Sequence, residues 1–179
     1  MLIGITGKAG SGKDTFAKYF IENHNFFRYS LADPIKRMIE AGFDLTPDIW
    51  DDREKKEKEI DWLSLSPRYL AQTLGTEWGR DWIHPDLWLL LAEQRLAKHP
   101  HVIVPDIRFD NEAEWIEKND GILVEVVGGI APPVDNAGHS SETGVDRRLI
   151  TTTIRNTGTI EQLHQVAAYV YSVWSNTTV

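Results

Sequence analysis

A three-layer α/β fold around a five-stranded parallel sheet is the architecture this sequence predicts, and two observations carry it. Short, almost wholly apolar runs alternate with segments of helical periodicity, which is the pattern of strands buried on both faces. The first of those runs passes through a glycine-rich turn directly into a helix. The chain has 179 residues, 41% hydrophobic and 26% charged, which suits one domain with a continuous core. Residues 1–179 are therefore expected to form a single domain, with a charged insertion over 43–66 and a lid-like segment over 128–147.

Taken in order, Leu2 to Thr6 reads as the first strand, and Phe16, Ala17, Phe20 and Ile21 give the following helix an inward stripe. Phe26 to Leu31 reads as the second strand. Asp33, with Pro34 after it, has the form of an N-cap followed by proline at the first helical position, opening a helix to about Gly42. Asp51 to Glu59 is a run of mixed charge without an apolar face, expected as a solvated helix or mobile loop. Tyr69, Leu70, Leu74 and Trp78 fall at helical spacing between Pro67 and Arg80, with Gly75 as a break. Asp86 caps the next helix, whose Leu87, Leu90 and Leu91 are expected to face the core.

Val102 to Val104 is the third strand, ending at Pro105-Asp106; a helix over Phe109 to Lys118 and a fourth strand over Ile122 to Val127 follow. Gly128 to Gly144 is rich in Gly, Pro, Asn and Ser without periodicity, and is expected as a loop long enough to be a lid. Thr151 to Ile154 is the fifth strand. The last helix carries Ile160, Leu163, Val166, Ala167, Val170 and Trp174 at spacings of three and four.

Composition narrows the function. There is no cysteine, so disulfides and thiolate metal sites are excluded. His84, His99, His101 and His164 show no zinc-ligand spacing. A net charge of −8 argues against a general grip on nucleic acid, which needs a broad basic surface, while a small anion needs only a local basic pocket. No apolar run approaches the about 20 residues that span a bilayer. The chain opens on a strand rather than a signal peptide, and a cytoplasmic location is expected. Seven tryptophans are many for this length; core packing accounts for most, and exposed ones would suit a homodimer interface.

The strongest motif is Gly7-Lys8-Ala9-Gly10-Ser11-Gly12-Lys13-Asp14-Thr15, between a strand and a helix. Phosphate oxygens must approach several backbone N–H groups at once, which Cβ atoms would obstruct, and the helix N-terminus adds a favourable field. Lys13 supplies a point charge for the β- and γ-phosphates of ATP, and the Thr15 hydroxyl a contact to phosphate or the Mg²⁺ shell. Asp14 stands where the hydroxyl residue commonly follows the lysine, a variant that resembles small-molecule and nucleotide kinases more than switch GTPases; Asp14 also complements the helix dipole. Asp106, at the end of the third strand, is placed to orient water on Mg²⁺ or bind the acceptor, and Arg108 to fork onto a phosphate. A plain helix cap is the alternative for Asp106.

Six segments occur in the order found in bacteriophage deoxynucleoside monophosphate kinases: Gly7 to Thr15, Leu31 to Lys36, Arg68 to Thr76, Val102 to Arg108, His139 to Glu142, and Asn156 to Gly158. The chain resembles that family over nearly its whole length. The resemblance implies a P-loop kinase fold, ATP and Mg²⁺ as cofactors, a deoxynucleoside monophosphate as substrate, and, for a phage-encoded protein, the host cytoplasm. It implies that Lys36, Arg68 and Arg108 grip the acceptor phosphate and that Asp33, Gln72, Gly75, Thr76 and Trp78, or Trp82, line the acceptor pocket. Asn156 and Gly158 would border the adenine.

Related enzymes carry an arginine directly after the fourth strand, whereas here Gly128-Gly129 follow Val127. A guanidinium on the transferring group is worth ~10³ to 10⁵ in rate. Arg148, or Arg147, is the expected substitute, with a surface pair beside Asp146 as the alternative. Glu142 is expected to pair with a lid arginine or to cap a helix, and His139 to position the lid. Two other readings remain at this stage: a kinase of another metabolite, of the phosphomevalonate or dephospho-coenzyme A type, and a non-catalytic ATP-binding module.

Overall fold

The computed structural model describes residues 1–129 and 144–176, and its chain divides into two compact units, Met1–Ser30 with Leu96–Val179, and Leu31–Arg95. In the first unit β1 (Leu2–Thr6), β2 (Phe27–Arg28), β3 (Val102–Val104), β4 (Ile122–Gly128) and β5 (Thr152–Asn156) form one parallel sheet in the order β2-β3-β1-β4-β5. Ile3 and Ile5 of β1, with Ile122, Val124 and Val126 of β4 and Ile154 of β5, turn to one face. There they pack with Phe16, Ala17 and Phe20 of α1 (Lys13–His24) and Leu163, Ala167 and Val170 of α7 (Ile160–Ser175). Gly4 points the other way, where an added Cβ would lie 2.9 Å from Ile116 of α6 (Asp110–Lys118). Alternation along β1 therefore assigns α1 and α7 to one layer and α6 to the opposite one.

The second strand is shorter than the run from Phe26 to Leu31 predicts. Only Phe27 and Arg28 pair as strand, although Tyr29 still donates its N–H to the Ile103 carbonyl at 3.0 Å. In α7 the predicted stripe is too wide: Leu163, Ala167 and Val170 are buried, whereas Ile160 and Val166 stay exposed. A helix resting on one sheet face buries a single stripe, and the flanking apolar residues are left at its margins.

The second unit is helical. It contains α2 (Asp33–Phe43), a 3₁₀ turn over Pro47–Trp50, α3 (Arg53–Glu57) and α4 (Pro67–Thr73); a π-helix over Leu74–Ile83 and α5 (Leu87–Leu96) follow. Ala32, not Asp33, occupies the N-cap of α2, and Asp33 is its first residue. The charged run forms α3, a helix of only five residues. It is held by the Asp52 carboxylate, which accepts from the N–H groups of Glu54 at 2.7 Å and Lys55 at 3.3 Å. Ser66 caps α4 in the same way, accepting from Tyr69 N–H at 3.2 Å.

Gly75 is not a break. The helix widens at Leu74 into a π-helix, and the Gly75 carbonyl accepts from Arg80 Nη1 at 2.7 Å and from the Trp88 indole at 2.8 Å. Gly79 lets the Trp88 ring lie against this turn, since a Cβ there would sit 2.9 Å from Trp88 Cε2. That seating also sets the face of α5. Trp88, Leu89, Ala92 and Leu96 are buried and Leu90 is exposed, in place of the predicted Leu87, Leu90 and Leu91. Six consecutive apolar residues, Leu87 to Ala92, carry no polar mark of the outer face, so the tryptophan's packing and hydrogen bond decide the rotation. Among the described residues no helix is long and apolar enough to cross a membrane.

Candidate active site

The turn from β1 to α1 has the backbone that its glycines permit. Gly7, Gly10 and Gly12 have φ of +136°, +76° and +100°, and Gly12 is the N-cap residue of α1. These left-handed conformations exclude most side chains and leave loop N–H groups unobstructed. Lys13, the first residue of α1, donates Nζ–H to the carbonyls of Gly7 at 2.7 Å and Lys8 at 2.8 Å. An ammonium has three donors, so one remains for a further acceptor. Burial, the largest influence, lowers the Lys13 pKa; Asp14 opposes this, Arg108 adds to it and Asp106 opposes it. A partly buried cation at a helix N-terminus, beside a buried Ser11 hydroxyl with no partner among the described residues, fits a polyphosphate. Ala9 is exposed on the loop, and Asp14 is exposed in the first turn of α1.

Asp106 and Arg108 follow β3, and both act electrostatically on Lys13. Asp106 accepts a hydrogen bond from Ser30 Oγ at 2.5 Å. It does not cap α6. The buried Glu112 closes this cap, accepting from the N–H groups of Arg108 at 2.7 Å and Phe109 at 3.2 Å.

Beside the loop lies a cavity of about 440 Å³ lined by Gly10, Gly12, Thr15, Gly128, Asn156 and Gly158, among others. Thr15 thus faces the same space as Asn156 and Gly158, with Ile160 and Leu163 as its apolar side. A Cβ at Gly158 would overlap Gln162 Oε1, which accepts from Thr159 N–H at 2.9 Å to cap α7. The chain leaving β4 passes against the loop, and a Cβ on Gly129 would lie 3.0 Å from Ser11 Cα.

In the second unit, Lys36 Nζ stands 5.8 Å from the centroid of the Trp50 ring, and Arg68 Nη1 lies 3.2 Å from Glu57 Oε1. Lys56, within electrostatic reach of both, is half-buried. Burial pushes its pKa down first, then Arg68; Glu57 opposes, and Lys36 and Arg53 push down again. Lys36, Arg53, Lys56 and Arg68 outnumber the one carboxylate named among them, Glu57, and that excess of positive charge suits an anion. Gln72 and Thr76 are half-buried, Trp78 packs on Trp88 with ring centroids 6.5 Å apart, and Trp82 is 78% exposed.

The comparisons with known proteins bear on the chain as a whole. The family model described as deoxynucleotide monophosphate kinase matches residues 1–63 and 49–166. A protein of Acanthamoeba polyphaga mimivirus carrying a deoxynucleotide monophosphate kinase name is 34% identical over 141 residues, 70% of this chain and 73% of its own. The chain belongs to the deoxynucleotide monophosphate kinase family. The deoxynucleoside-5′-monophosphate kinase of Escherichia phage T5 is 28% identical, with 84% of this chain and 87% of that protein covered. Among solved structures, TT1252 from Thermus thermophilus shares the fold, with a TM-score of 0.52 and 22% identity over 96% of each chain. The fold is the three-layer α/β P-loop kinase fold.

For a member of this kinase family the residues named from the sequence fall into separate groups. Lys13, Asp106 and Arg108 come together around the phosphate loop, and Thr15, Asn156 and Gly158 line one cavity. Lys36 and Arg68 both act electrostatically on Lys56, and Gly75 gives its carbonyl to Arg80 and Trp88. Arg148 is held by Asp146, donating through Nε at 3.0 Å and Nη2 at 2.5 Å, and this pairing pulls the Asp146 pKa from 3.8 to about 2. Arg147 instead lines a second cavity with Arg155 and Glu125. His139 and Glu142 lie outside the described residues.

Sequence reasoning passed over Lys56, Ser30 and the pair Gly128-Gly129. Lys56 sat inside a run whose plain reading is a solvated surface. Ser30 carries no motif. The glycine pair registered as a missing arginine, although two consecutive glycines leaving a buried strand are themselves a signal of close backbone approach.

Proposed function

We propose that this protein transfers the γ-phosphoryl group of ATP to the 5′-phosphate of a deoxynucleoside monophosphate, giving the deoxynucleoside diphosphate and ADP. The observation that carries the proposal is the grouping of Lys13, Asp106 and Arg108 at the N-terminus of α1 and the end of β3, in a chain of this family. Relatives named as kinases of deoxynucleoside monophosphates, and an acidic balance of −8, support a small nucleotide rather than a nucleic-acid strand as the acceptor.

In the reaction an oxygen of the acceptor phosphate forms a bond to the γ-phosphorus as the bond to the β,γ-bridging oxygen breaks, with ADP leaving. The acceptor oxygen is already ionised, so no general base is required. Lys13 offers its third N–H to the β- and γ-oxygens, the loop N–H groups hold the chain of phosphates, and Arg108 neutralises charge on the transferring group. In the second unit Lys36, Arg68 and Lys56 hold the acceptor phosphate, and Gln72 and Thr76 line its sugar and base. The cavity beside Asn156, Gly158 and Ile160 receives the adenine.

Among the described residues no three His, Asp or Glu side chains cluster as a metal cage. Magnesium suits such a site because it takes most of its ligands from phosphate and water, and Thr15 and Asp106 would hold it directly or through water. When bound it neutralises charge on the β- and γ-oxygens.

The test is a coupled assay with Mg·ATP against dGMP, dTMP, dCMP, dAMP and their ribose counterparts. Diphosphate formation from at least one deoxynucleotide is expected. ATP binding without turnover on the whole panel would overturn the proposal in favour of another metabolite kinase or a binding module.

A further inference from the structure

Asn156, the last residue of β5, touches two other segments. Its Nδ2 donates to the Ser11 carbonyl oxygen at 2.9 Å, and its own carbonyl accepts from Gly129 N–H at 2.8 Å. Glycines keep open the space that Asn156 occupies, Gly12 beside its side chain and Gly128 beside its backbone. A Cβ on Gly12 would lie 3.4 Å from Asn156 Cγ and overlap Nδ2, and one on Gly128 would sit 2.5 Å from the Asn156 carbonyl oxygen.

The bond to Ser11 has a consequence for the loop. In a trans peptide the C=O and the N–H of the next residue point in opposite directions. Holding the Ser11 carbonyl on Asn156 therefore turns the Gly12 N–H away from Asn156, and that N–H has no acceptor among the described residues. A phosphate loop works by aiming such N–H groups. At φ of +100° and without a Cβ, Gly12 has no side chain of its own to fix that peptide plane.

We propose that Asn156 is a positioning residue for the donor phosphates: its amide locks the Ser11-Gly12 peptide plane so that the Gly12 N–H is presented to the ATP triphosphate. This rests on the ATP-donor reading above and differs from a role at the adenine, because a residue that sets the loop is indifferent to the base. Asparagine is specifically suited. Aspartate fits the same space but would set a carboxylate oxygen against the Ser11 carbonyl, and alanine leaves that carbonyl without its donor.

The experiment measures binding of Mg·ATP, Mg·GTP and inorganic tripolyphosphate to the full chain and to Asn156→Ala and Asn156→Asp, with the Gly12 amide resonance followed by NMR. Tripolyphosphate has no base and needs no acceptor, so its binding reports on the loop whether or not deoxynucleotides are the substrates. The expectation is that Asn156→Ala weakens all three ligands by one common factor of about tenfold, the worth of a lost hydrogen bond at a part-buried site. Asn156→Asp should lose at least as much while keeping the parent's melting temperature within a few degrees. The Gly12 amide should shift with tripolyphosphate in the parent and much less in either variant. Weakened ATP binding with tripolyphosphate unaffected would overturn the proposal and return Asn156 to the base. Unchanged binding of all three, or no tripolyphosphate binding by the parent, would overturn it as well.

Discussion

Gly129 lies so close to Gly10 that a Cβ on Gly129 would overlap the Gly10 carbonyl oxygen and come within 3.1 Å of its carbon. With φ of +95°, Gly129 is also in the left-handed region. The position after β4 is therefore committed to backbone contact with the phosphate loop, which is a physical reason for Gly-Gly where an arginine would otherwise reach the phosphates. Gly129→Ala should push the loop out of place at a cost of about 1–3 kcal/mol. Steady-state kinetics should show the KM for ATP raised about tenfold or more, with the KM for the deoxynucleotide little changed.

Lys13→Ala should abolish turnover, with at least a 10³-fold fall in kcat/KM, and leave the circular dichroism spectrum unchanged. The charged form of Lys13 is the working one. Burial lowers its pKa below the ordinary 10.5, so the ammonium is lost as pH rises through that lowered value. The alkaline limb of kcat/KM for ATP, which reports the free enzyme, should accordingly fall below pH 10.5.

Lys56 sits half-buried with Arg68, Lys36 and Arg53 as its cationic neighbours. Removing it relieves repulsion in the unliganded protein, so Lys56→Ala should not lower the melting temperature. Its loss should be felt by the acceptor, with a rise in KM for the deoxynucleotide of about tenfold from one missing charge-assisted bond. The KM for ATP should stay within twofold. An ATP effect as large as the acceptor effect would refute the assignment.

Ser30 fixes the Asp106 carboxylate through its hydroxyl at 2.5 Å. If Asp106 orients water on Mg²⁺, Ser30→Ala should raise the Mg²⁺ concentration needed for half-maximal rate by about three- to tenfold, in line with one hydrogen bond of about 1 kcal/mol. Saturating Mg²⁺ should restore most of kcat. A fall in kcat with no change in the Mg²⁺ requirement would argue that Asp106 acts on the acceptor instead.

Gly79 faces the Trp88 indole, and an added methyl would sit 2.9 Å from Cε2. The ring is buried and tied to Gly75 at 2.8 Å, so it has little room to move. Gly79→Ala should therefore destabilise the protein by about 1–3 kcal/mol through overpacking, visible in denaturant unfolding followed by tryptophan fluorescence.

The sheet and the phosphate loop were the most legible parts of the chain. Strands such as Val102–Val104 and Ile122–Gly128 are apolar at nearly every position, and burial on both faces is the one environment that tolerates this. Gly7, Gly10 and Gly12 stand at the positions where the backbone takes positive φ, so their spacing already described a cradle. The helical unit was less legible. Leu87 to Leu91 signals a buried helix without saying which side is buried, and the π-helix over Leu74–Ile83 is too short for its wider turn to stand apart from α-helical spacing.

What the sequence determined by itself is what short-range physics encodes: apolar runs that must be covered, glycines that must be bare, caps such as Ser66 and Thr159 that start helices, and a lysine at the head of the first one. Tertiary structure alone decided which distant groups meet. Asn156 reaches Ser11 across 145 positions, Ser30 reaches Asp106 across 76, and Lys56 comes within electrostatic reach of Lys36 and Arg68. None of these meetings leaves a local trace, because hydrogen bonds and charge interactions act over a few ångströms of space and are indifferent to separation along the chain.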